Sequence, residues 1–290
     1  TKPLAILMRK FLIVLLVTIA ISFIIARLFL YPSLPILNGH AAKTLCSCIF
    51  LAEIPENIAI RDEIGFFPVS MASTSVDYDQ KMVSASFFGM MEKKAYFRQG
   101  QGYAIYNDLP TPKGASKPAF PIKNDTSKID QSILSSEQKE KLEEVLGWVF
   151  KEDDSSERIK KTRGVAIMYK GKLVAERYAE GFGPNSRMLG WSMTKSITSL
   201  LYGLLEKDST LYREDVVNSK KWPTDKKVTY KDLLQMSSGM EWDENYATMS
   251  SVTKMLYAAD TFGAVDATYP ITEAPGSEWN YSSGTTNNLN

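Results

Sequence analysis

The chain has 290 residues, 44% hydrophobic and 23% charged, which fits one large globular domain or two modest ones. Its 34 Lys and Arg against 33 Asp and Glu leave a net charge of +1, so there is no overall basic field to hold nucleic acid, and no nucleic-acid-binding motif is present. With a single histidine, His40, a Ser-His-Asp triad would have to recruit that one residue.

Lys2, Arg9 and Lys10 precede an uncharged run from Phe11 to Ala26; Arg27 breaks it, and Leu28-Phe29-Leu30-Tyr31 resumes it. A membrane helix needs about 20 residues, and an arginine near its end can snorkel to the interface. The basic flank keeps the N-terminus in the cytoplasm. The expectation is a basic cytoplasmic segment over 1–10, a single-pass transmembrane anchor in the cytoplasmic (inner) membrane over 11–30, and the remainder on the periplasmic or extracytoplasmic side. A cleaved signal peptide would have a shorter apolar region with a small-residue cleavage site close behind, and no convincing site follows Ala26. Cys46 and Cys48 would then meet an oxidising compartment. A strained Cys-x-Cys disulfide and a partner-directed thiol both stay open, whereas the two thiols and His40 fall short of a tetrahedral metal set. No metal or cofactor is expected.

Residues 31–108 read as a small membrane-proximal β-rich region, with a turn signal at Asn38-Gly39 and a hairpin in which Val76–Asp79 and Met82–Phe88 flank Gln80-Lys81. Pro110, Pro112, Pro118 and Pro121 mark a linker over 109–135. A helix over 136–151 opens a second domain, 136–290, and Gly164–Tyr169 and Lys172–Tyr178 flank Lys170-Gly171 as a hairpin. Strands followed by inserted helices indicate an α+β fold.

Ser-x-x-Lys occurs three times, at Ser136 to Lys139, Ser192 to Lys195 and Ser251 to Lys254. The first and third read as helix caps at Ser135 or Ser136 and at Ser250 or Ser251. Ser192 differs, because the helix behind it carries Met193, Ile197, Leu200, Leu201 and Leu204 at helical spacing. That pattern predicts a buried helix whose first turn opens from the core. A serine and a lysine three apart share one helix face, so the lysine can take the serine's proton without a histidine.

Three segments resemble the serine β-lactamase and penicillin-binding-protein superfamily, nearest the class C β-lactamase-related hydrolases of the esterase and 6-aminohexanoate-dimer hydrolase branch. They are Ser192-Met193-Thr194-Lys195 with its helix, Thr229 to Gly239 (similar to a helix ending L-L-x-H-x-S-G), and Pro275 to Gly284 (similar to P-G-x-x-F/W-x-Y-S-N). The resemblance covers about residues 136–290 and implies a partial β-lactamase/transpeptidase-like domain, an antiparallel sheet with flanking helices plus a helical subdomain. It implies Ser192 as nucleophile, Lys195 as base and Tyr281 as second proton carrier, acting on a small-molecule amide or ester through an acyl-enzyme. Ser283 replaces the family's asparagine two positions after the tyrosine and is expected to contact substrate, which is more like the amide hydrolase branch than true β-lactamases. Met236 stands where the family has histidine. The family's third motif, K-T-G or H-x-G, is not found after Tyr281, so the chain is expected to be C-terminally truncated within its catalytic domain and poorly active by itself. A non-catalytic penicillin-binding-type ligand sensor, or an interaction protein working through 31–110, are the alternative expectations.

Overall fold

The computed structural model describes residues 2–98, 102–106, 128–152, 160–217, 222, 225–247, 249–259 and 269–289, and most of the expected 109–135 linker lies outside these. Helix α1 (Lys2–Ile25) does not end with its apolar run. It passes through a π-helical turn (Ala26–Leu30) into α2 (Tyr31–Cys46) and a second π-helical turn (Ser47–Leu51). The stretch Lys10–Leu51, 42 residues, is long and apolar enough to cross a membrane. Its large apolar side chains from Phe11 to Leu30 are exposed.

Helix α2 corrects the expectation of strands and a turn from residue 31 onward. Pro32 and Pro35 both lie within this continuous helical run, each removing one backbone N–H donor. Asn38 uses its side chain for tertiary bonds rather than a turn, donating to the carbonyls of Met90 (3.0 Å) and Met91 (2.7 Å). Gly39 is there for close approach: a Cβ at its position would lie 1.9 Å from the Tyr257 carbonyl oxygen.

After a short helix α3 (Glu56–Ala59), which continues helically to Ile64, the expected hairpin forms as part of a larger sheet. Strands β1 (Ser73–Asp77), β2 (Met82–Phe87), β3 (Met90–Arg98) and β4 (Gly102–Tyr106) make an antiparallel meander in the order β1-β2-β3-β4. Along β2 every second residue, Val83, Ala85 and Phe87, is buried, as a half-buried strand requires. Ala41, Ala42, Leu45 and Cys46 of α2 pack with Val83, Ala85 and Ala95 in one core. Cys46 and Cys48 are both buried and not joined in a disulfide, which replaces both expectations for them. Burial pushes the Cys46 thiol up to about 12, so it is unreactive.

The chain divides into two compact units, Thr1–Lys117 with Leu189–Asn290, and Pro118–Met188. In the second unit α4 (Ser136–Phe150) starts as predicted, with Ser135 and Gln138 closing a capping box. The hairpin β5 (Gly164–Tyr169) and β6 (Lys172–Tyr178) turns through Lys170 and Gly171, both left-handed. Lys172 pairs with Asp130 at 2.6 Å and Arg177 with Glu143 at 2.5 Å.

The first unit is completed by α5 (Thr194–Lys207), α6 (Tyr230–Leu234), α7 (Ser251–Thr253, continuing as a π-helical turn Lys254–Ala258) and α8 (Ser283–Asn287). Ser250 caps α7 as expected. A second core gathers Val228, Leu233, Met240, Trp242, Val252 and Met255. Two lysines tie the first core to this region. Lys43 Nζ donates to the Leu256 carbonyl at 3.2 Å and Lys93 Nζ to the Ala258 carbonyl at 3.0 Å, both at the C-terminal carbonyls of the helical segment, where cations are favoured. His40 stacks on Tyr257, with ring centroids 4.6 Å apart.

Helix α5 corrects a further expectation. Its apolar side is not buried: Ile197, Leu200, Leu201 and Leu204 are 49–60% exposed. The half-buried face is instead Lys195, Thr198, Tyr202 and Glu206, spaced three and four apart. Tyr202 packs against the second core, and its hydroxyl donates to the Leu289 carbonyl. The period identified which residues share a side of the helix, but the helix is seated by the side that carries its lysine.

Candidate active site

Ser192 lies in a 3-10 turn (Trp191–Met193) leading into α5, rather than in the α-helix itself. The turn is a tight elbow. Trp191 has φ 42°, a left-handed conformation that costs a non-glycine residue roughly 1–3 kcal/mol. The hydroxyl of Thr194 donates to the Trp191 carbonyl at 2.7 Å, and the Met193 N–H to the Gly190 carbonyl at 2.9 Å. The serine side chain is thereby left exposed on the same side as Lys195.

A second strap brings residues 280–283 to this elbow. Helix α6 begins with a Thr229–Asp232 capping box and ends in a left-handed Met236 (φ 59°). Gly239 is left-handed too (φ 74°), and a Cβ there would meet the Glu273 carbonyl oxygen at 2.3 Å. The loop between them is laced to the later segment. The Gly276 N–H donates to the Ser237 carbonyl (2.7 Å) and the Asn280 N–H to the Met236 carbonyl (2.8 Å). The Ser282 N–H meets the Met236 sulfur at 3.3 Å. Met236 thus braces the segment carrying Tyr281 from both its backbone and its side chain.

The two straps converge. Lys195 Nζ lies 3.1 Å from Ser192 Oγ and 2.9 Å from Ser283 Oγ, and 5.0 Å from the centroid of the Tyr281 ring. All four residues named from the sequence are therefore together. Their contacts differ from the expectation in detail: Ser283, expected to face substrate, is bonded to Lys195, and Tyr281 presents its ring to the ammonium group.

Glu244 was not anticipated. Its carboxylate accepts from Trp242 Nε1 (2.5 Å), the Ser283 N–H (2.8 Å), the Ser283 hydroxyl (2.5 Å) and the Tyr246 hydroxyl (2.9 Å). The only trace of this in the sequence is the alternation Trp242-x-Glu244-x-Tyr246 after the Ser-Gly pair. Partial burial, with the neighbouring carboxylate, pushes the Tyr246 phenol up to about 12, so it keeps its proton at neutral pH. Gly284 is needed beneath this cluster, since a Cβ would lie 2.4 Å from the Trp242 ring. A cleft lined by Met236, Trp242, Trp279 and Asn280 runs beside the strap and does not include Ser192 or Lys195. Among the described residues, no group of three or more His, Cys, Asp or Glu side chains could hold a metal ion.

An exposed serine bonded to a lysine, with the lysine held by a second hydroxyl, can accept acyl groups. Residues 156–289 match the Beta-lactamase family model. Among solved structures, the chain is similar to a Bacillus anthracis protein named as a 6-aminohexanoate-dimer hydrolase, at 20% identity over 51% of this chain and with a TM-score of 0.33, a likeness too slight to carry any argument. The chain spans 40% of that protein's length. No curated protein matches the chain. The stretch that matches the Beta-lactamase family model, residues 156–289, holds the Ser192, Lys195 and Ser283 cluster.

Proposed function

We propose that the chain belongs to a membrane-anchored serine hydrolase that cleaves an amide or ester bond through an acyl-enzyme on Ser192. The observation that carries this reading is the continuous line from Ser192 Oγ through Lys195 Nζ to Ser283 Oγ, at 3.1 and 2.9 Å. Ser192 Oγ attacks the substrate carbonyl carbon as Lys195 takes the hydroxyl proton. Collapse of the tetrahedral species breaks the C–N or C–O bond, and the leaving group departs with a proton delivered from Lys195, with Tyr281 as the second carrier. Water then repeats the sequence on the acyl-enzyme, releasing the acid and restoring Ser192.

Glu244 gives this line a direction. A carboxylate only accepts hydrogen bonds, so the Ser283 O–H is committed to Glu244 and the Ser283 oxygen accepts from Lys195. That arrangement ties down an N–H of the lysine and leaves the amine's proton-accepting side to Ser192. The apolar run of α1 supports the anchor, and Arg9 and Lys10 ahead of that run favour an orientation with the hydrolase region outside the cytoplasmic membrane. The expected substrate is a small molecule.

A fluorophosphonate probe applied to the protein in its membrane tests the reading. Labelling of the wild type that disappears in Ser192→Ala is the expected result. Absence of wild-type labelling would sink it, and labelling unchanged in the variant would move the nucleophile to another serine. Stable acylation by a penicillin with no turnover would instead identify a ligand sensor.

A further inference from the structure

The four-stranded sheet has two ends of opposite chemistry, and α2 shows which one faces the membrane. The start of β3 sits beside Asn38, whose amide bonds the carbonyls of Met90 and Met91. The end of β3 lies further along the same helical rod, with Phe97 6.5 Å from Phe50 between ring centroids. Strand β3 therefore runs in the same direction as α2, away from α1. The β2–β3 turn is at the α1 side of the sheet. The β1–β2 turn is at the far side, where Tyr78 packs on Phe50 and bonds Glu56.

The far turn reads Tyr78-Asp79-Gln80-Lys81, a normal solvated turn. The near one reads Phe87-Phe88-Gly89-Met90, with Phe88 71% exposed. Its two central residues both have positive φ, 50° at Phe88 and 71° at Gly89. Such a turn favours Asn or Asp at its first position; a phenylalanine there is strained, and its ring, edge-on to buried Phe87 with centroids 4.7 Å apart, still stays exposed. Phe66 packs edge-on against His40, and the next residue, Phe67, is 80% exposed.

Height along the rod matches a bilayer surface. If 11–30 fills the hydrocarbon core, Asn38 stands about 12 Å beyond its edge at 1.5 Å per residue. Phe88 projects back toward α1 by two to three residues, roughly 7 Å at strand spacing. That sets its ring about 5 Å above the hydrocarbon, inside a headgroup layer roughly 5–7 Å deep. Aromatic side chains favour that layer.

We infer that the β2–β3 turn, with Phe88 at its tip, rests in the headgroup layer of the membrane that α1 spans, giving the protein a second lipid contact beside its helix. The inference depends on the anchor reading proposed above. The full chain is reconstituted in phosphatidylcholine and phosphatidylglycerol vesicles with an environment-sensitive fluorophore on Phe88→Cys, Asp79→Cys or Leu15→Cys. The wild type sets the labelling background, since Cys46 and Cys48 are buried. Spin-labelled lipids act as quenchers at shallow or deep positions. The expected result is shallow quenching at position 88 about threefold stronger than at 79, with deep quenching at 15. Quenching at 88 no greater than at 79, with position 15 still quenched, overturns the contact and leaves the anchor standing. No quenching at 15 or 88 overturns both.

Discussion

The core under α2 and the core around Trp242 are built from different residues. Half of the buried residues in the first are small, Ala41, Ala42, Ala59, Ala85, Ala95 and two cysteines, set among Leu45, Ile49, Ile54, Ile64, Val69, Val83 and Ile105. The second relies on Trp222, Trp242, Met240, Met255 and Leu233. Small residues bring backbones together, so the first core is specified by how closely a helix can lie on a sheet. The second surrounds loops with large side chains and finishes them with polar bonds, and it is the one that carries the candidate site. The first has no catalytic side chain of its own, yet it holds the 254–258 segment through Gly39, Lys43 and Lys93.

Four measurements would break or sharpen this contrast. The largest effect is expected from cavities in either core. Leu45→Ala and Leu233→Ala should each cost about 2–5 kcal/mol in chemical denaturation. Tryptophan emission reads the second core, where Trp222 and Trp242 lie. A single transition moved by both variants means that the cores unfold together, and a tryptophan transition untouched by Leu45→Ala would separate them. Next comes Gly39→Ala. Alanine in a helix interior normally stabilises, by roughly 1 kcal/mol over glycine, but here its methyl meets a backbone oxygen. A loss of about 1–3 kcal/mol is expected, and an unchanged or raised midpoint would show that the two cores do not approach so closely.

Glu244→Gln should lower kcat about ten- to hundredfold, equivalent to roughly 1.4–2.7 kcal/mol, with little change in KM. The amide can donate, so Ser283 is free to turn its O–H toward Lys195. A variant with unaltered kcat would remove Glu244 from the relay. Taken per pH unit, the smallest effect is a pH slope. Burial lowers Lys43 to about 7 and His40 to about 4. Both are bases whose protonated form burial disfavours, so the unfolded chain binds more protons between the folded and unfolded values. Stability should therefore rise with pH from about 4 toward 6.5 through His40, and from about 7 toward 10.5 through Lys43, by up to roughly 1.4 kcal/mol per unit for each group. Lys43→Met should flatten the upper part, and an unaltered slope there would contradict a buried neutral lysine.

What could be read from the chain follows from how local each signal is. The two hairpins were legible because period-two alternation and their turn residues lie within a few positions of one another. Helix α4 was legible because its capping box is local. Helix α2 was not: Pro32, Pro35, Asn38 and Gly39 all signal loop, and they fit a helix only through partners at Met90, Met91 and Tyr257. The apolar period of α5 was read correctly as a stripe, but a stripe does not say what it faces. Ser192, Lys195, Tyr281 and Ser283 could be named because they fall in recognisable motifs. Glu244 could not, because its meaning comes from donors at positions 242, 246 and 283, which only the folded loops bring together.

The lysine clamps also set an order of events during synthesis. The helix and sheet of the first core are complete once residue 106 has left the ribosome, and they can close while the rest of the chain is still being made. The carbonyls that Lys43 and Lys93 grip belong to Leu256 and Ala258, made much later. Until then the surface around Gly39 stays vacant, and the nascent chain carries a finished half waiting for its counterpart. Slow translation or early release between those two points would yield a folded first core beside an unfolded second one, a species that quality-control proteases would be expected to recognise.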